Sequence, residues 1–346
     1  MADIHIRREG RAGRITLARP KALNALSYEM CLAIDSALRD WARDDRVALV
    51  LIDAEGEKAF CAGGDIAEMF ATGAAGDYAY GRRFWSDEYR MNARLAEYSK
   101  PVVAFLQGFV MGGGVGVGCH ASHRVVCETS QIAMPECGIG LVPDVGGSLL
   151  LARAPGGLGV YLGLTGARMG PGDAIRAGFA DFYLPQSGWE PAKAALVASG
   201  DIEKLSGTDA PEAAFAVEAA RIEAVFGAET PDEMIAALES DGSGFASRAL
   251  SVLRRNSPLS VACTHAMLRN LGRGATIRMA LAQEYRFTWR SMEHTDFLEG
   301  IRAAIIDKDR SPRWRHARLE DVTEQEVAAL LAPLGDAELA FEEESQ

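Results

Sequence analysis

Residues 101–147 read PVVAFLQGFVMGGGVGVGCHASHRVVCETSQIAMPECGIGLVPDVGG, and they are the clearest indication of the fold class. The β-branched and apolar run at 101–106 predicts a buried strand, and three consecutive glycines at 112–114 predict a turn that opens a helix. Further short strands are predicted near Val125 and Ile132. Strands that alternate with turns and helices in this way indicate an α/β protein with helices packed on a sheet.

The segments upstream continue the same pattern. Alternating apolar and polar residues at 4–8 and 14–18 predict a β-hairpin, and Ser27 is the predicted N-cap of a helix that runs to about Arg43. A short buried strand is predicted at 47–53, and a helix at 77–99 ends before Pro101. Strand–helix units therefore extend from the N-terminus to the glycine-rich stretch.

From about Trp189 onward the pattern is Ala-rich and almost wholly helical. Glycine and proline interrupt it at 207–211, 227–231, 242–244 and 258. We therefore predict a catalytic core at residues 1–188 and a helical region at residues 189–346. The acidic segment 342–344 predicts a solvated tail.

Composition narrows the range of partners. The 346 residues are 48% apolar and 24% charged, which is typical of a globular protein, and the net charge of −12 argues against nucleic-acid binding. A local basic patch on such a protein can still bind an anionic small molecule. Six cysteines without a C-x-x-C pair, and no secretory signal, predict a reduced protein in the cytoplasm.

Residues 101–123 carry no charge and have the length of a membrane span. Six glycines, a proline and Gln107 within them favour a buried strand, a turn and a helix instead, so we predict no membrane segment. P-loop and Rossmann signatures are absent from the sequence. His120 and His123 are three residues apart without a further ligand set, so neither a metal nor a redox cofactor is predicted.

Two glycine turns are candidates for ligand binding. Each of them, Ala62-Gly63-Gly64-Asp65 and Gly112 to Gly114, has a structural alternative, either a tight turn or a close helix–sheet contact. Both turns, however, follow predicted strands, and ligands bind at the carboxyl ends of strands in α/β sheets. Each turn could contribute one backbone N–H group to a shared oxyanion.

Three carboxyl groups are candidates for acid–base chemistry. Glu136 follows Pro135 and Asp144 follows Pro143, both among apolar residues that raise the pKa of a carboxyl. A helix N-cap is the structural alternative for Asp144. Glu88 lies on a predicted helix, and its spacing favours an exposed carboxylate that is paired with Arg90 or Asn92.

Four motifs together resemble the enoyl-CoA hydratase/isomerase (crotonase) superfamily: RPKALNAL at 19–26, AFCAGGDI at 59–66, GFVMGGG at 108–114 and MPE at 134–136. The resemblance implies a fold of repeated ββα units and an acyl-CoA substrate. It also implies that backbone N–H groups of Gly64 and Gly113 hold the thioester oxygen. The positions that it assigns to the CoA and pantetheine walls are Lys21, Ala22, Leu23, Ala25, Ala62, Asp65 and Ile66.

A narrower likeness extends over nearly the whole chain. EYRMN at 88–92, MGGGVG at 111–116, MPECGIGLVPDVGG at 134–147 and the late segments 296–309 and 312–314 resemble the 3-hydroxyisobutyryl-CoA hydrolases of that superfamily. The resemblance places substrate contacts on Glu88, Gly113, Glu136 and Asp144. It also implies that the helical C-terminal region covers the active site or builds a homo-oligomer.

One departure from the hydratases favours hydrolysis. The first of their two catalytic glutamates follows the glycine triplet by two residues, and Gly116 occupies that place here, with no side chain to carry a proton. We therefore expect hydrolysis of a short, branched β-hydroxyacyl-CoA such as 3-hydroxyisobutyryl-CoA, a step of valine breakdown. Glu136 would act as nucleophile or as general base, and Glu88 and Asp144 would bind the hydroxyl group and polarise water. A hydratase or isomerase using Glu136 alone, and a non-catalytic acyl-CoA-binding protein, remain the alternatives.

Overall fold

A computed structural model of the chain describes residues 2–272 and 274–341, so the acidic segment 342–344 lies outside the described residues. The chain forms two compact units, each built from three segments. Unit 1 comprises Met1–Asp65, Met91–Ala133 and Arg168–Val217, and unit 2 comprises Ile66–Arg90, Met134–Ala167 and Glu218–Gln346. The division at residues 188/189 concerns function rather than compactness, and it stays a prediction.

The strands of the described chain are β1 (Ile4–Glu9), β2 (Ala12–Leu17), β3 (Leu49–Ala54), β4 (Ala59–Cys61), β5 (Val102–Leu106), β6 (Phe109–Met111), β7 (His123–Val126), β8 (Gln131–Ala133) and β9 (Phe182–Tyr183). Its α-helices are α1 (Tyr28–Ala42), α2 (Ala67–Ala74), α3 (Ala79–Ala96), α4 (Gly113–Gly118), α5 (Gly147–Arg153), α6 (Leu158–Thr165), α7 (Pro171–Arg176), α8 (Trp189–Ser199), α9 (Ala219–Phe226), α10 (Pro231–Asp241), α11 (Gly244–Leu253), α12 (Pro258–Asn270), α13 (Ile277–His294), α14 (Phe297–Ile301) and α15 (Glu324–Leu331). The predicted α/β class is confirmed.

Unit 1 contains two sheets. The larger has the order β1-β2-β3-β5-β7-β9, in which the predicted hairpin of β1 and β2 is antiparallel and the other neighbours are parallel. The smaller sheet, β4-β6-β8, is parallel throughout. Apolar side chains of the larger sheet, such as Leu51 and Phe105, form a core with Trp189 and Leu196 of α8. This burial explains the continuous apolar runs in the sequence.

The strand predicted before the glycine triplet is in fact two strands in different sheets. The chain leaves β5 at Gln107, whose side-chain amide donates to the carbonyl oxygens of Ala54 and Gly56 at 2.9 and 3.0 Å. Gly108 has a φ of +56°, and a Cβ there would overlap the carbonyl oxygen of Lys58. Glycine is therefore required where the chain crosses to β6.

Unit 2 is helical in its described part, as the pattern after Trp189 predicts. The interruptions at 227–231 and 242–244 separate α9, α10 and α11, and Pro258 begins α12. Rings of Tyr161, Phe226 and Phe245 pack together, with centroids 5.1 to 6.4 Å apart. Among the described residues, no helix combines the length and apolar character needed to cross a membrane.

Candidate active site

The RPKALNAL loop of unit 1 is fixed by its asparagine. Asn24 is fully buried, and its Nδ2 donates to the carbonyl oxygens of Glu55 and Ala59, both at 2.9 Å. Leu23 and Asn24 both have positive φ, at 52° and 54°, a backbone conformation that costs energy for a leucine. The buried amide supports this turn, which leaves Lys21 and Ala22 exposed.

The same loop runs beside the first glycine turn. Leu26 N–H donates to the carbonyl oxygen of Gly63 at 2.9 Å, and Ala62 N–H donates to that of Leu23 at 3.0 Å. Arg19 forms an ion pair with Asp65 at 3.0 Å. Unit 1 therefore brings most of the predicted CoA wall together: Lys21, Ala22, Leu23, Ala25, Ala62 and Asp65. The remaining predicted residue, Ile66, belongs to unit 2.

The two glycine turns lie at the carboxyl ends of β4 and β6, which pair in parallel. Gly63 has a φ of +127°, and a Cβ there would lie 3.7 Å from the carbonyl oxygen of Met111. A Cβ at Gly114 would overlap the carbonyl oxygen of Cys61, so α4 packs directly on the end of β4. The backbone N–H groups of Gly64 and Gly113 donate no hydrogen bond within the described residues. Both predicted oxyanion donors are thus free to bind a ligand.

Replacing Gly114 with alanine is expected to disturb this arrangement. The added methyl group would overlap backbone rather than a flexible side chain, so the free energy of unfolding should fall by about 1–3 kcal/mol. We also expect thiol release from an acyl-CoA to fall at least about tenfold, because the Gly113 N–H is displaced. Thermal melting and a thiol assay measure the two effects.

Gly170→Ala is the matched control for Gly114→Ala. A Cβ at Gly170 would meet no atom within 4 Å, and Gly170 has an extended backbone with φ −71° and ψ 178°. Its substitution should leave activity unchanged. An alanine at position 114 with normal stability and activity would show that α4 tolerates displacement from β4.

Unit 2 contains the three predicted carboxyl groups, and all three are buried. Glu88, Glu136 and Asp144 are 4%, 4% and 5% exposed. The exposed, paired acid favoured for Glu88 is wrong, because α3 turns this residue inward while Arg90 pairs with Asp87 at 2.9 Å. Glu88 Oε1 and Glu136 Oε2 are buried without a hydrogen-bond partner among the described residues.

Local packing explains the position of Glu136. The residue begins a 3₁₀ turn, Glu136–Ile139, and the next residue, Cys137, has its thiol 3.3 Å from Thr264 Oγ1 on α12. The Cys137 carbonyl oxygen accepts from Ser257 N–H at 3.0 Å. At the end of the turn, a Cβ on Gly140 would lie 2.5 Å from backbone atoms of Asp296. The turn is therefore held between α12 and the late segment that begins at Asp296.

Burial raises the pKa of all three carboxyl groups in this cluster, and the charge of Asp144 adds to this effect at the two glutamates. Burial, followed by the charge of Asp144, raises the pKa values of Glu88 and Glu136 well above their ordinary range. Burial raises the pKa of Asp144 to about 7, although a hydrogen bond from Tyr89 lowers it. Within the described residues, no lysine or arginine nitrogen lies within 4 Å of these carboxyl groups. Such groups hold or exchange protons near neutral pH.

Asp144 is not the N-cap of the following helix, which was its structural alternative. Gly146 occupies the N-cap position of α5, and no side chain caps it from within that segment. Asp144 Oδ2 instead accepts a hydrogen bond from Tyr89 Oη at 2.8 Å. Val145, with a φ of +53°, completes a tight turn that directs the Asp144 side chain toward α3.

Glu284, which was not among the predicted site residues, is a fourth carboxyl group and supports this turn. Glu284 is fully buried on α13 and accepts hydrogen bonds from Gly146 N–H at 2.7 Å and Ser148 N–H at 3.1 Å, and from the Ser148 hydroxyl. It therefore binds the free N–H groups at the start of α5. Burial raises its pKa to about 8, although these hydrogen bonds lower it. Its neighbours on α13 at positions −3, −4 and +3, namely Leu281, Ala280 and Phe287, are buried, and this pattern was the available signal.

Tyr89→Phe should separate the Tyr89 hydrogen bond from the packing of its ring. Loss of the donor raises the pKa of Asp144, so more Asp144 is neutral at pH 7, and we expect activity there to fall roughly tenfold. The pH profile of kcat/KM measures the change.

Tyr285→Phe is the control for Tyr89→Phe. The Tyr285 ring packs edge-on against Tyr89, but its hydroxyl donates to the Arg82 carbonyl oxygen at 3.2 Å and not to a carboxylate. This variant should leave the profile unmoved. Identical profiles for Tyr89→Phe and the wild type would contradict the role of Tyr89.

Groups of three or more His, Cys, Asp and Glu residues able to hold a metal ion are absent from the described residues. The six cysteines are buried, and none forms a disulfide within the described residues.

Comparisons with known proteins identify the family of this chain. A sequence model described as enoyl-CoA hydratase/isomerase matches residues 12–331. A curated relative, the mitochondrial 3-hydroxyisobutyryl-CoA hydrolase of Gallus gallus, is 38% identical over 353 residues, covering 98% of this chain and 91% of that protein. A crystal structure of an enoyl-CoA hydratase from Rhodobacter sphaeroides 2.4.1 superimposes with a TM-score of 0.96 at 59% identity, covering 98% of this chain and 100% of the other. A carnitinyl-CoA dehydratase from Mycobacterium thermoresistibile gives 0.94 at 40% identity and covers 99% of each chain.

The predicted cytoplasmic location is wrong by this comparison, because the curated hydrolases that match the chain are named as mitochondrial proteins. Reduced cysteines indicate only a reducing environment. They do not distinguish one reducing compartment from another, which is why the prediction failed.

On the extent of these matches, the chain belongs to the enoyl-CoA hydratase/isomerase (crotonase) family, and it is similar over almost its whole length to 3-hydroxyisobutyryl-CoA hydrolases.

Proposed function

We propose that this protein hydrolyses the thioester of a short, branched β-hydroxyacyl-CoA, with 3-hydroxyisobutyryl-CoA as the first substrate to test. The observation that carries the proposal is Glu136, a buried carboxyl group that no cation neutralises within the described residues and whose Oε2 has no partner there. Its desolvated carboxylate would be a strong base and nucleophile. The curated relatives named 3-hydroxyisobutyryl-CoA hydrolase support the same reaction.

The thioester oxygen would be bound by the free N–H groups of Gly64 and Gly113. As the carbonyl carbon becomes tetrahedral, negative charge collects on this oxygen, and each donor stabilises it by about 3 kcal/mol in comparable sites. This step requires that the substrate carbonyl, bound at the glycine turns of unit 1, also be within reach of Glu136. A structure with a non-hydrolysable thioester analogue would test that requirement directly.

Two chemical routes remain open for Glu136. In the first, its carboxylate attacks the thioester carbon, the CoA thiolate leaves, and water hydrolyses the resulting anhydride. In the second, Glu136 removes a proton from water, the resulting hydroxide attacks the carbon, and the CoA thiolate leaves. A single turnover in ¹⁸O-labelled water separates the routes, because only the anhydride route transfers label into the Glu136 carboxyl group.

Glu88 and Asp144 would bind the 3-hydroxyl group of the substrate and orient water. Leaving a buried carboxyl group without a hydrogen-bond partner costs free energy. Acyl groups that lack the 3-hydroxyl group should therefore react poorly. Tyr89 and Glu284 hold Asp144 and its turn in place. We propose no metal or redox cofactor for this reaction, since coenzyme A enters as part of the substrate.

The physiological setting that we propose is valine breakdown, in which a 3-hydroxyisobutyryl thioester is cleaved. We also propose a homo-oligomer without nucleic-acid partners, in keeping with the acidic composition.

Hydration of an enoyl-CoA is the second candidate, because the two solved structures above are named hydratase and dehydratase. Against it stands Gly116, a buried residue of α4 at the position where hydratases carry their first catalytic glutamate. Glu136 alone would then have to remove a proton from water and deliver a proton to the double bond. Gly116 therefore favours hydrolysis over hydration.

Thiol release from 3-hydroxyisobutyryl-CoA, measured beside the hydration of crotonyl-CoA, decides between the candidates. We expect rapid thiol release and little hydration. Hydration without thiol release would reject the hydrolase, and CoA binding without either reaction would identify an acyl-CoA-binding protein.

A further inference from the structure

A cleft in the helical part of unit 2 has no role in the proposed reaction. It has a volume of about 380 Å³ and is lined by residues of α12, α13 and α15 and of the segment 315–316. The candidate catalytic carboxyl groups are not among its lining residues. Small-molecule sites commonly have volumes of this size. Four of the lining side chains carry a guanidinium or imidazole group: Arg290, His294, Arg315 and His316.

Arg290 is held at this cleft by neutral groups. Its Nη1 donates to the carbonyl oxygens of Arg286, Leu330 and Ala332 at 3.0, 3.1 and 2.8 Å, and the guanidinium thereby binds the end of α15. Within the described residues no carboxylate oxygen lies within 4 Å of its nitrogens, and the nearby Glu338 is paired with Arg286 at 2.6 Å. Burial lowers the pKa of Arg290, an effect that a bound anion would oppose.

Arg315 contributes a second cation without an acidic partner. Its backbone N–H donates to Asp296 Oδ1 at 2.9 Å, and its Nη2 donates to the carbonyl oxygen of Glu293 at 3.3 Å. The Glu293 carboxylate is paired with Arg82 at 3.2 Å, and in the described part of the chain no carboxylate oxygen lies within 4 Å of the Arg315 side-chain nitrogens. Both guanidinium groups are therefore held in place, and neither is neutralised by a paired carboxylate.

His316 has one ring nitrogen without a partner. Its Nε2 lies 3.1 Å from Glu326 Oε1, and its Nδ1 is buried with no hydrogen bond to any described residue. The other oxygen of Glu326, the acidic residue of the cleft, accepts from the N–H and the hydroxyl of Thr323 at 2.9 and 2.7 Å. A buried polar atom without a partner costs free energy. An imidazolium between Glu326 and a bound anion would use both of its N–H groups.

Aliphatic surface completes the cleft. Leu259 and Leu330, which are 3% and 6% exposed, line it together with Ala329. Among the described residues that line it there is no phenyl, phenol or indole ring on which a nucleotide base would stack. The cleft therefore combines cations for an anionic group with hydrocarbon for an aliphatic one.

We propose that this cleft binds a short aliphatic carboxylate. The carboxylate accepts hydrogen bonds from Arg290 and Arg315, whose planar guanidinium groups match its geometry. The hydrocarbon part lies against Leu259 and Leu330, and its burial gives selectivity over an inorganic anion. The site is independent of the proposed thioester hydrolysis, because it uses none of the groups that are assigned to that reaction.

Calorimetric titration with isobutyrate tests the site. A saturating, non-hydrolysable acyl-CoA analogue keeps isobutyrate out of the candidate active site during the titration. We expect a Kd on the order of 1 mM. Isobutyramide has the same shape without the charge, and inorganic phosphate has charge without hydrocarbon, so each should bind at least about tenfold more weakly. Equal binding of isobutyramide or of phosphate would overturn the assignment to a carboxylate, as would absence of isobutyrate binding.

Two pairs of variants locate the binding. Arg315→Gln should weaken isobutyrate binding about tenfold, and Arg313→Gln is its matched control, because Arg313 is an exposed arginine that is not among the lining residues. Ala329→Glu adds a carboxylate to the cleft and should weaken binding similarly. Ala328→Glu adds the same charge at the neighbouring exposed position of α15, outside the cleft, and should leave binding unchanged.

Folding is controlled by thermal melting. All four positions are exposed, so each variant should melt as the wild type does. Weaker binding confined to Arg315→Gln and Ala329→Glu supports the proposal. Equal affinity of the wild type and these two variants would overturn it, as would an equal loss in the control variants.

Discussion

Glu136→Gln is expected to abolish most thiol release from 3-hydroxyisobutyryl-CoA, lowering kcat about 10³-fold or more. Glutamine preserves the shape of the side chain but can neither attack the thioester nor accept a proton from water. An amide has no charge to bury, so the variant should melt no lower than the wild type. Thiol release at saturating substrate and thermal melting measure the two quantities.

Binding provides the control for Glu136→Gln. CoA should bind the variant as it binds the wild type, because the residue is assigned to the acyl carbon rather than to the nucleotide. A variant that keeps kcat within tenfold of the wild type, with normal melting, would remove Glu136 from the mechanism.

Asp144→Asn is expected to lower kcat about 10²-fold and also to move the pH profile. The charge of Asp144 raises the pKa values of Glu136 and Glu88, so its removal lowers both. The rate requires ionised Glu136, and the acid limb of the residual activity should therefore shift to lower pH. Measurements of kcat/KM from pH 5 to 9 would detect the shift.

Glu88→Gln is the matched control for that shift. The charges that raise the pKa of Glu136 are those of Asp144 and Glu284, and Glu88 is not among them. Glu88→Gln should therefore weaken recognition of the 3-hydroxyl group without moving the acid limb. An acid limb that stays in place in Asp144→Asn would show that the carboxyl groups titrate independently.

Much of the fold follows from local sequence signals. The hairpin of β1 and β2, the helix that begins after Ser27 and the helical region after Trp189 all appear where the patterns predict them. The separation of β5 from β6 was missed, because it depends on Gly108 lying against Lys58, fifty residues earlier in the chain. Periodicity describes a strand but not the sheet that it joins.

The candidate site was predictable in part for a similar reason. Glu136 and Asp144 stand beside prolines and apolar residues, and these local signals indicated burial. Glu88 and Glu284 lie on helices with mixed surroundings, where only the residues three and four positions away reveal the buried face. For Glu88 those residues include Phe84 and Trp85, and the preference for an exposed acid overlooked them. The hydrogen bond that Gly146 N–H donates to Glu284 joins residues 138 positions apart, and no local pattern predicts it.

The burial of several carboxyl groups in unit 2 makes its folding a proton-uptake reaction. Near neutral pH the unfolded chain has released protons that these groups retain in the native state. The stability that they contribute is complete below the ordinary carboxyl pKa of about 4 and is lost as the pH rises through the native values, about 7 for Asp144 and about 8 for Glu284. The calorimetric enthalpy of unfolding should accordingly vary with the ionisation heat of the buffer that receives the released protons.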